Sequence, residues 1–310
     1  MSAVAAANAA APAKTKKKAG AGGRPFVVGV PFAWLAVLFL LPFLIVAAIS
    51  IAETTVGIPP FTPPVSIDAQ GVHFDATLSN YALIASDSLY WRAYVHSLSY
   101  AALATLCCLL VGYPMAYAIA SAPQRWRNPL LLLVILPFWT SFLIRVYAWM
   151  GLLSPNGLIN HALISLGVIG EPLPLINNLF SVELGLVYSY LPFMVLPLYS
   201  TLEKLDPALL EAAADLGARP WRSFVTVTLP LSLPGIVAGS LLVFIPAVGE
   251  FVIPDLLGGP DTLMIGKVLW DEFFTNRDWP VASSIAVAML VILAVPIAVG
   301  RRLLRGETAS

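Results

Sequence analysis

Charge is what this sequence has least of. Lysine and arginine number 17, aspartate and glutamate another 17, and together they make 11% of 310 residues, against about 25% in a soluble domain. The net charge is zero, so no basic excess points to nucleic acid as a partner. Cysteine is nearly absent. Cys107 and Cys108 are adjacent inside an apolar run, poorly placed for a disulfide or a metal site, and read as small apolar fillers. The three histidines, His73, His96 and His161, stand far apart, which disfavours a metal or nucleophilic centre. Also missing is the phosphate-cradling pattern G-x-x-x-x-G-K-[ST]. Its nearest fragment, Gly266-Lys267, is followed by Val268 and has Asp261 where the first glycine belongs. No catalytic constellation, metal or cofactor is expected, and no enzyme.

What remains is hydrophobic: 59% of the residues, with a mean hydropathy of +0.85. That places the chain among membrane proteins. A membrane helix needs about 20 mostly apolar residues, and six segments qualify, at 27–51, 94–120, 129–153, 181–202, 232–257 and 280–300. The expected organisation is all-α. A disordered Ala-, Gly- and Lys-rich tail covers 1–25, a six-helix membrane domain covers 26–305, and a short tail covers 306–310. The first run is longer than a signal-peptide core and has no clear cleavage site after it, so it reads as an anchor.

Basic residues orient the spans. Lys14, Lys16, Lys17, Lys18 and Arg24 precede the first span; Arg125 and Arg127 follow the second; Lys204, Arg219 and Arg222 follow the fourth; Arg301, Arg302 and Arg305 end the last. These are 13 of the 17 basic residues, all on one side, which predicts cytoplasmic termini. Glu53, Asp68, Asp75, Asp87, Glu171, Asp261, Asp271, Glu272 and Asp278 populate the other face. The first outer loop, 52–93, holds Pro59-Pro60 and Pro63-Pro64, which force extended or turn backbone. Trp91, Trp149, Trp270 and Trp279 lie near span ends, where aromatic belts form.

The long inner loop, 203–231, parses as two short helices. Asp206 is a good N-cap with Pro207 at the first helical position, and Gly217 suits a left-handed closure. A second helix begins at Pro220 and ends before Pro230. Ala212-Ala213-Ala214 offers almost no side chain, so another surface could approach closely, with Glu211 beside it.

Glu211-Ala212-Ala213, Gly217, Val227, Leu229 and Pro230 have the spacing E-A-A, three residues, G, nine residues, I, one residue, L-P, with valine at the isoleucine position. This resembles the loop of ABC importer permeases that docks on the ATPase. The resemblance implies that role for Glu211, Ala212, Ala213, Gly217, Leu229 and Pro230. Residues 136–149, from Leu136 to Trp149, look like the third span of polyamine permeases. Phe244–Pro254 with Leu256–Gly259 look like the fifth span, and Asn276–Ser283 like the entry to the last. Together with the proline-rich outer loop they are most similar to permeases of putrescine importers, then of spermidine/putrescine importers. The resemblance implies a type I importer architecture in a bacterial inner membrane. It also implies three partners: a homodimeric ATPase, a second homologous permease and an extracytoplasmic polyamine-binding protein. A permease for another small solute and a self-sufficient secondary transporter are the alternatives.

Ionisable groups within spans are costly and often functional. Arg145 and Glu250 are expected at similar heights, within reach of each other. Either they pair or snorkel to the outer interface, or Glu250, with Asp255 nearer the mouth, attracts a cationic substrate. Trp139, Tyr147, Trp149 and Tyr188 could add cation–π contacts to an alkylammonium. Leu-Pro-Phe recurs at 41–43, 136–138 and 191–193, and Pro197 and Pro246 also interrupt spans, as static kinks or as hinges.

Overall fold

The computed structural model describes residues 24–68 and 71–306. The expected disordered tail lies almost wholly outside the described residues. The chain divides into two compact units, 1–45 and 46–310. The first is represented by helix α1 (Arg24–Ile49) up to Ile45; the helix has Pro31 and Pro42 within it and is apolar on every side, as a membrane span requires.

The second unit opens with a hairpin, β1 (Val65–Asp68) and β2 (Gly71–Phe74), antiparallel with Val65 opposite Phe74. It follows the proline-rich stretch that cannot continue a helix. Helices α2 (Ser79–Ser86), α3 (Ser88–Ser121) and α4 (Gln124–Ile135) come next. A 3₁₀ turn, Leu136–Trp139, separates α4 from α5 (Phe142–Leu153) and α6 (Leu158–Ser165). Then come α7 (Leu179–Leu202), α8 (Pro207–Asp215), α9 (Pro220–Ser223), a π-helical turn Phe224–Thr228, α10 (Leu229–Leu231) and α11 (Leu233–Val248). The chain closes with α12 (Val252–Leu257), α13 (Ile265–Trp270), a second π turn Asp271–Thr275 and α14 (Trp279–Gly306).

Four helices are long and apolar enough to cross a membrane, and two bent pairs raise the number to six. The third and fifth spans are not the single rods expected from 129–153 and 232–257. Between Gln124–Trp139 and Phe142–Ser165 the axis turns by 87°. Pro137 removes a helical donor, and Thr140 and Ser141 then run extended, at ψ 151° and 136°. The Leu-Pro-Phe at 191–193 produces no such break, because Pro192 lies buried inside a continuous α7. In the fifth span α11 stops at Val248 and α12 restarts at Val252. In the loop before it, the helix expected to end ahead of Pro230 runs on to Leu231 through the first π turn, where the Leu229 N–H bonds to the Phe224 carbonyl. The axis then bends by 63° into α11.

The core is the meeting of α3, α7 and α11. Small residues let the backbones close: Ala101, Ala104, Cys108 and Ala116 on α3 are buried, as small-residue membrane interfaces allow. Met194 of α7 is clasped from both sides. A Cβ at Gly112 would meet its Cγ at 3.1 Å, and a Cβ at Gly239 would meet its Sδ at 2.8 Å and its carbonyl oxygen at 3.1 Å. A second cluster joins Ile84, Tyr94, Ile265, Val268, Val281 and Ile285, and Tyr94 donates to the Ile285 carbonyl at 2.8 Å.

The clasp gives a direct test. Gly239→Leu drives a side chain into the α7 backbone, a shift that overpacked cores resist by about 1–3 kcal/mol. The purified variant should melt several degrees below the parent, while Gly29→Leu, where nothing lies within 4 Å of the added carbon, should not. Equal melting of the two would refute the close approach.

Candidate functional site

The loop 203–231 is built as an exposed, rigidly closed knob. The Asp206 carboxylate accepts from the Ala208 N–H at 3.0 Å, and Pro207 occupies the first position of α8. At the other end Gly217 has φ +81°. Its N–H bonds to the Ala214 carbonyl at 2.8 Å, and the Ala218 N–H to the Ala213 carbonyl at 3.0 Å. That pair of bonds is a Schellman closure. Glu211, Ala212, Ala214 and Gly217 are exposed, Ala213 and Leu229 half-buried, and Pro230 exposed. Leu216 is 89% exposed and Trp221 74%, so the knob presents apolar surface.

Behind the knob lies a connection that the sequence reading missed. Phe224, in the π turn, stacks on Trp221 at 5.7 Å and meets Tyr113 and Tyr117 of α3 edge-on at 5.6 and 6.0 Å. The Tyr113 and Ser232 hydroxyls bond at 2.9 Å, and Ser232 also donates to the Leu229 carbonyl at 2.9 Å. The chain of contacts therefore runs from the knob to α3 and to the bend that starts α11. Its only advance signal was an aromatic at 224 between two prolines. A cleft of about 470 Å³ beside α8 is lined by Tyr117, Leu210 and Thr228. There Arg127 and Glu203 form an ion pair at 3.4 Å.

The second locus is the break in the fifth span. Glu250 is 9% exposed. Its carboxylate accepts from the Tyr190 hydroxyl at 2.5 Å and from the N–H groups of Phe251 and Val252 at 3.2 and 3.0 Å. It therefore ties α7 to the first turn of α12. Gly266 of α13 packs against this break, since a Cβ there would lie 2.4 Å from the Gly249 carbonyl oxygen and 2.6 Å from that of Glu250. The Ile265 N–H is held by the Ser97 hydroxyl at 2.7 Å.

The expected proximity of Arg145 and Glu250 does not become a pair. Their common height assumed a continuous third span, and the 87° turn removes that premise. Arg145 instead lies over the rings of Phe138 at 5.0 Å and Phe142 at 5.8 Å. Phe138 packs on Phe193 at 5.2 Å and Phe193 on Tyr190 at 6.2 Å, so a run of aromatic rings links Arg145 to the tyrosine that holds Glu250. Asp255 is not free. Lys267 Nζ reaches it at 2.7 Å and Asp271 at 3.2 Å. Lys267, first noticed only as a fragment of a motif that is not there, is the counter-ion. Trp149 and Tyr188 meet edge-on at 5.4 Å, whereas Trp139 and Tyr147 stand 74% and 52% exposed.

Comparison with known proteins agrees with this architecture. The family of binding-protein-dependent transport system inner membrane components matches residues 9–305. The spermidine/putrescine transport system permease protein PotB of Haemophilus influenzae is 41% identical over 268 residues, covering 86% of this chain and 89% of that one. PotB of Escherichia coli is 46% identical over 226 residues, covering 73% and 82%. A chain in the crystal structure of a bacterial alginate ABC transporter, in complex with alginate pentasaccharide-bound periplasmic protein, covers 92% of this chain with a TM-score of 0.66. At 15% identity that likeness is one of fold.

Two outcomes follow from the geometry. Phe224→Ala leaves three aromatic neighbours facing a void. It should lower stability by about 2 kcal/mol, below the 3–5 of a fully buried ring, and Phe224→Leu should recover most of the loss in a thermal melt. For Lys267, the hydrogen bond from its ammonium to Asp255 outweighs desolvation and raises its pKa. The stabilisation is then complete below the ordinary lysine value of about 10.4 and is lost as pH climbs through the higher folded value. Melting temperature should fall across that alkaline range, and Lys267→Met should abolish this component.

Proposed function

Because the chain belongs to the family of binding-protein-dependent transport system inner membrane components, we propose that it forms half of the membrane channel of an ATP-driven polyamine importer, with putrescine as its leading cargo. The observation that carries the energy-coupling part of this reading is the knob. A helix faced with Glu211, Ala212 and Ala213 and closed at Gly217 stands exposed, and Phe224 connects it to α3 and α11. A homodimeric ATPase receives that knob on the cytoplasmic side, where both termini also lie. Leu229 and Pro230 fix the turn through which the knob joins the membrane part. No nucleotide-binding loop occurs in this sequence, so hydrolysis belongs to the partner.

A second homologous permease supplies the other half of the channel, and a soluble binding protein delivers cargo to the acidic outer face. The polyamine assignment is supported by the relatives named above and by the chemistry of the fifth span. Glu250 is a buried carboxylate at a helix break. It is reached past Asp255, which an incoming ammonium would take from Lys267. Trp139, Arg145, Tyr147, Trp149 and Tyr188 complete the candidate pathway, the aromatics as cation–π surfaces and Arg145 as a fixed positive charge repelling cations from the wall beside it.

Reconstitution tests this directly. Vesicles holding both permeases and the ATPase, supplied with binding protein, should accumulate putrescine only with ATP. Accumulation by this chain alone on an ion gradient would overturn the reading. Within the complex, Ala212→Trp should block docking and cut uptake at least about tenfold, the loss expected when one central interface contact is broken. The ATPase should no longer copurify, while the variant's own melting temperature stays at the parent value.

A further inference from the structure

Glu183 is a carboxylate with nothing to bind in the arrangement described so far. It lies in α7, where both of its oxygens are buried and neither has a hydrogen-bond partner among the described residues. The Cys108 thiol donates to the Val187 carbonyl at 3.7 Å, and Gly112 meets Met194, so α3 and α7 run side by side in the same direction, and Glu183, one turn before Val187, comes level with the turn of α3 before Cys108, where Ala104 lies and Tyr100 stands next above. The positive end of α7 does not explain it. That end is already capped by the Asn178–Ser181 box, and its influence fades within the first turn, whereas Glu183 is the fifth residue of the helix.

A buried carboxylate without a partner is a strong penalty, and an apolar residue of similar size is usually neutral or better for stability. Packing therefore gives no reason for glutamate here. The neighbourhood does suggest a ligand. The His96 Nδ1 is also buried without a partner among the described residues. The His96 ring stacks on Tyr100 at 5.4 Å and 24°, and the Tyr100 hydroxyl makes only a long 3.4 Å bond to the Asp261 carbonyl. A carboxylate, two aromatic faces and an imidazole nitrogen in apolar surroundings are what an alkylammonium ion requires. The carboxylate neutralises it, the rings attract it, and the low-polarity walls strengthen both effects while accommodating methylene groups.

We propose that Glu183, with Tyr100 and His96, is a binding site for one ammonium group of the cargo, between the outer halves of α3 and α7. The proposal rests on the polyamine reading and adds a station to it. Glu183 and Tyr190 are seven residues apart on one face of α7, about 10.5 Å along its axis, and Tyr190 holds Glu250. A diamine leaving Glu183 meets its second carboxylate two turns further in. The Glu183 oxygens are covered in this conformation, so the site loads when the outer ends of α3 and α7 part. A transporter alternating between two states has such a separation.

The test uses the complete reconstituted transporter with Glu183→Gln, Glu183→Leu and Glu183→Asp. The glutamine and leucine variants should raise the KM for putrescine uptake about tenfold or more, with aspartate intermediate. ATP hydrolysis stimulated by loaded binding protein should persist, and the leucine variant should melt at or above the parent temperature. Parental uptake in the glutamine variant would overturn the proposal. So would a leucine variant that fails to assemble, since Glu183 would then be structural. Absence of putrescine uptake by the parent itself would instead sink the cargo assignment.

Discussion

A helix in hydrocarbon cannot be interrupted without something to take up the freed amides and carbonyls, because no water is there to do so. This chain interrupts its third and fifth spans, and much of its polar chemistry is the consequence. At the fifth-span break the Glu250 carboxylate accepts the two amides that open α12. At the end of α12, the Leu257 carbonyl is taken by the Ser181 hydroxyl at 2.6 Å and by the Asn177 amide at 3.0 Å. At the third-span break Thr140 donates back to the Pro137 carbonyl at 2.7 Å. At the fifth-span break side chains close what the backbone leaves open by joining to α7, while at the third the closure is local. The central helix is therefore a packing axis and also the element on which the broken fifth span is anchored.

That dependence explains why glycine is placed where it is. Gly266 must admit the carbonyls of Gly249 and Glu250, and Gly239 must admit Met194. A break whose carbonyls point at a neighbouring helix can be tolerated only if that helix brings no side chain to the contact. Glu250 can then serve two ends at once. One oxygen accepts from the Phe251 and Val252 amides and fixes the turn, while the other accepts from the Tyr190 hydroxyl and ties that turn to α7.

The number of spans, the cap at Asp206 and the closure at Gly217 were legible in the sequence because each depends on local chemistry: an apolar run, an acceptor before proline, a residue free to adopt positive φ. The breaks were not. Leu-Pro-Phe at 136–138 turns the chain, while the same tripeptide at 191–193 stays helical, and the difference lies in Thr140 and Ser141 beyond the first and in the burial of Pro192 within α7. Proline alone does not decide. Pairings failed for the same reason. Arg145 and Glu250 share a height only on straight rods, and Lys267 meets Asp255 only because α13 folds back over the break. Phe224 and Glu183 carry no motif at all. Their significance appears once α3 is known to face both.

The two ends of α11 give the architecture its mechanical sense. Below, the helix starts at a 63° bend whose pivot residue, Ser232, is held by Tyr113 of α3. Above, it ends at the break governed by Glu250 and Tyr190 of α7. Between them it is clasped on Met194 through Gly239 and on Thr201 through Gly235, where an added Cβ would lie 2.7 Å from the threonine hydroxyl. A rod gripped this tightly transmits displacement with little bending, because packed cores are bistable and do not deform continuously. The knob, Phe224, Ser232 and the lower end of α11 are joined in one line of contacts, and at the upper end of that helix the Gly249–Phe251 turn is held to α7 through Glu250 and Tyr190. The exposed knob and the buried Glu250 thus stand at opposite ends of α11.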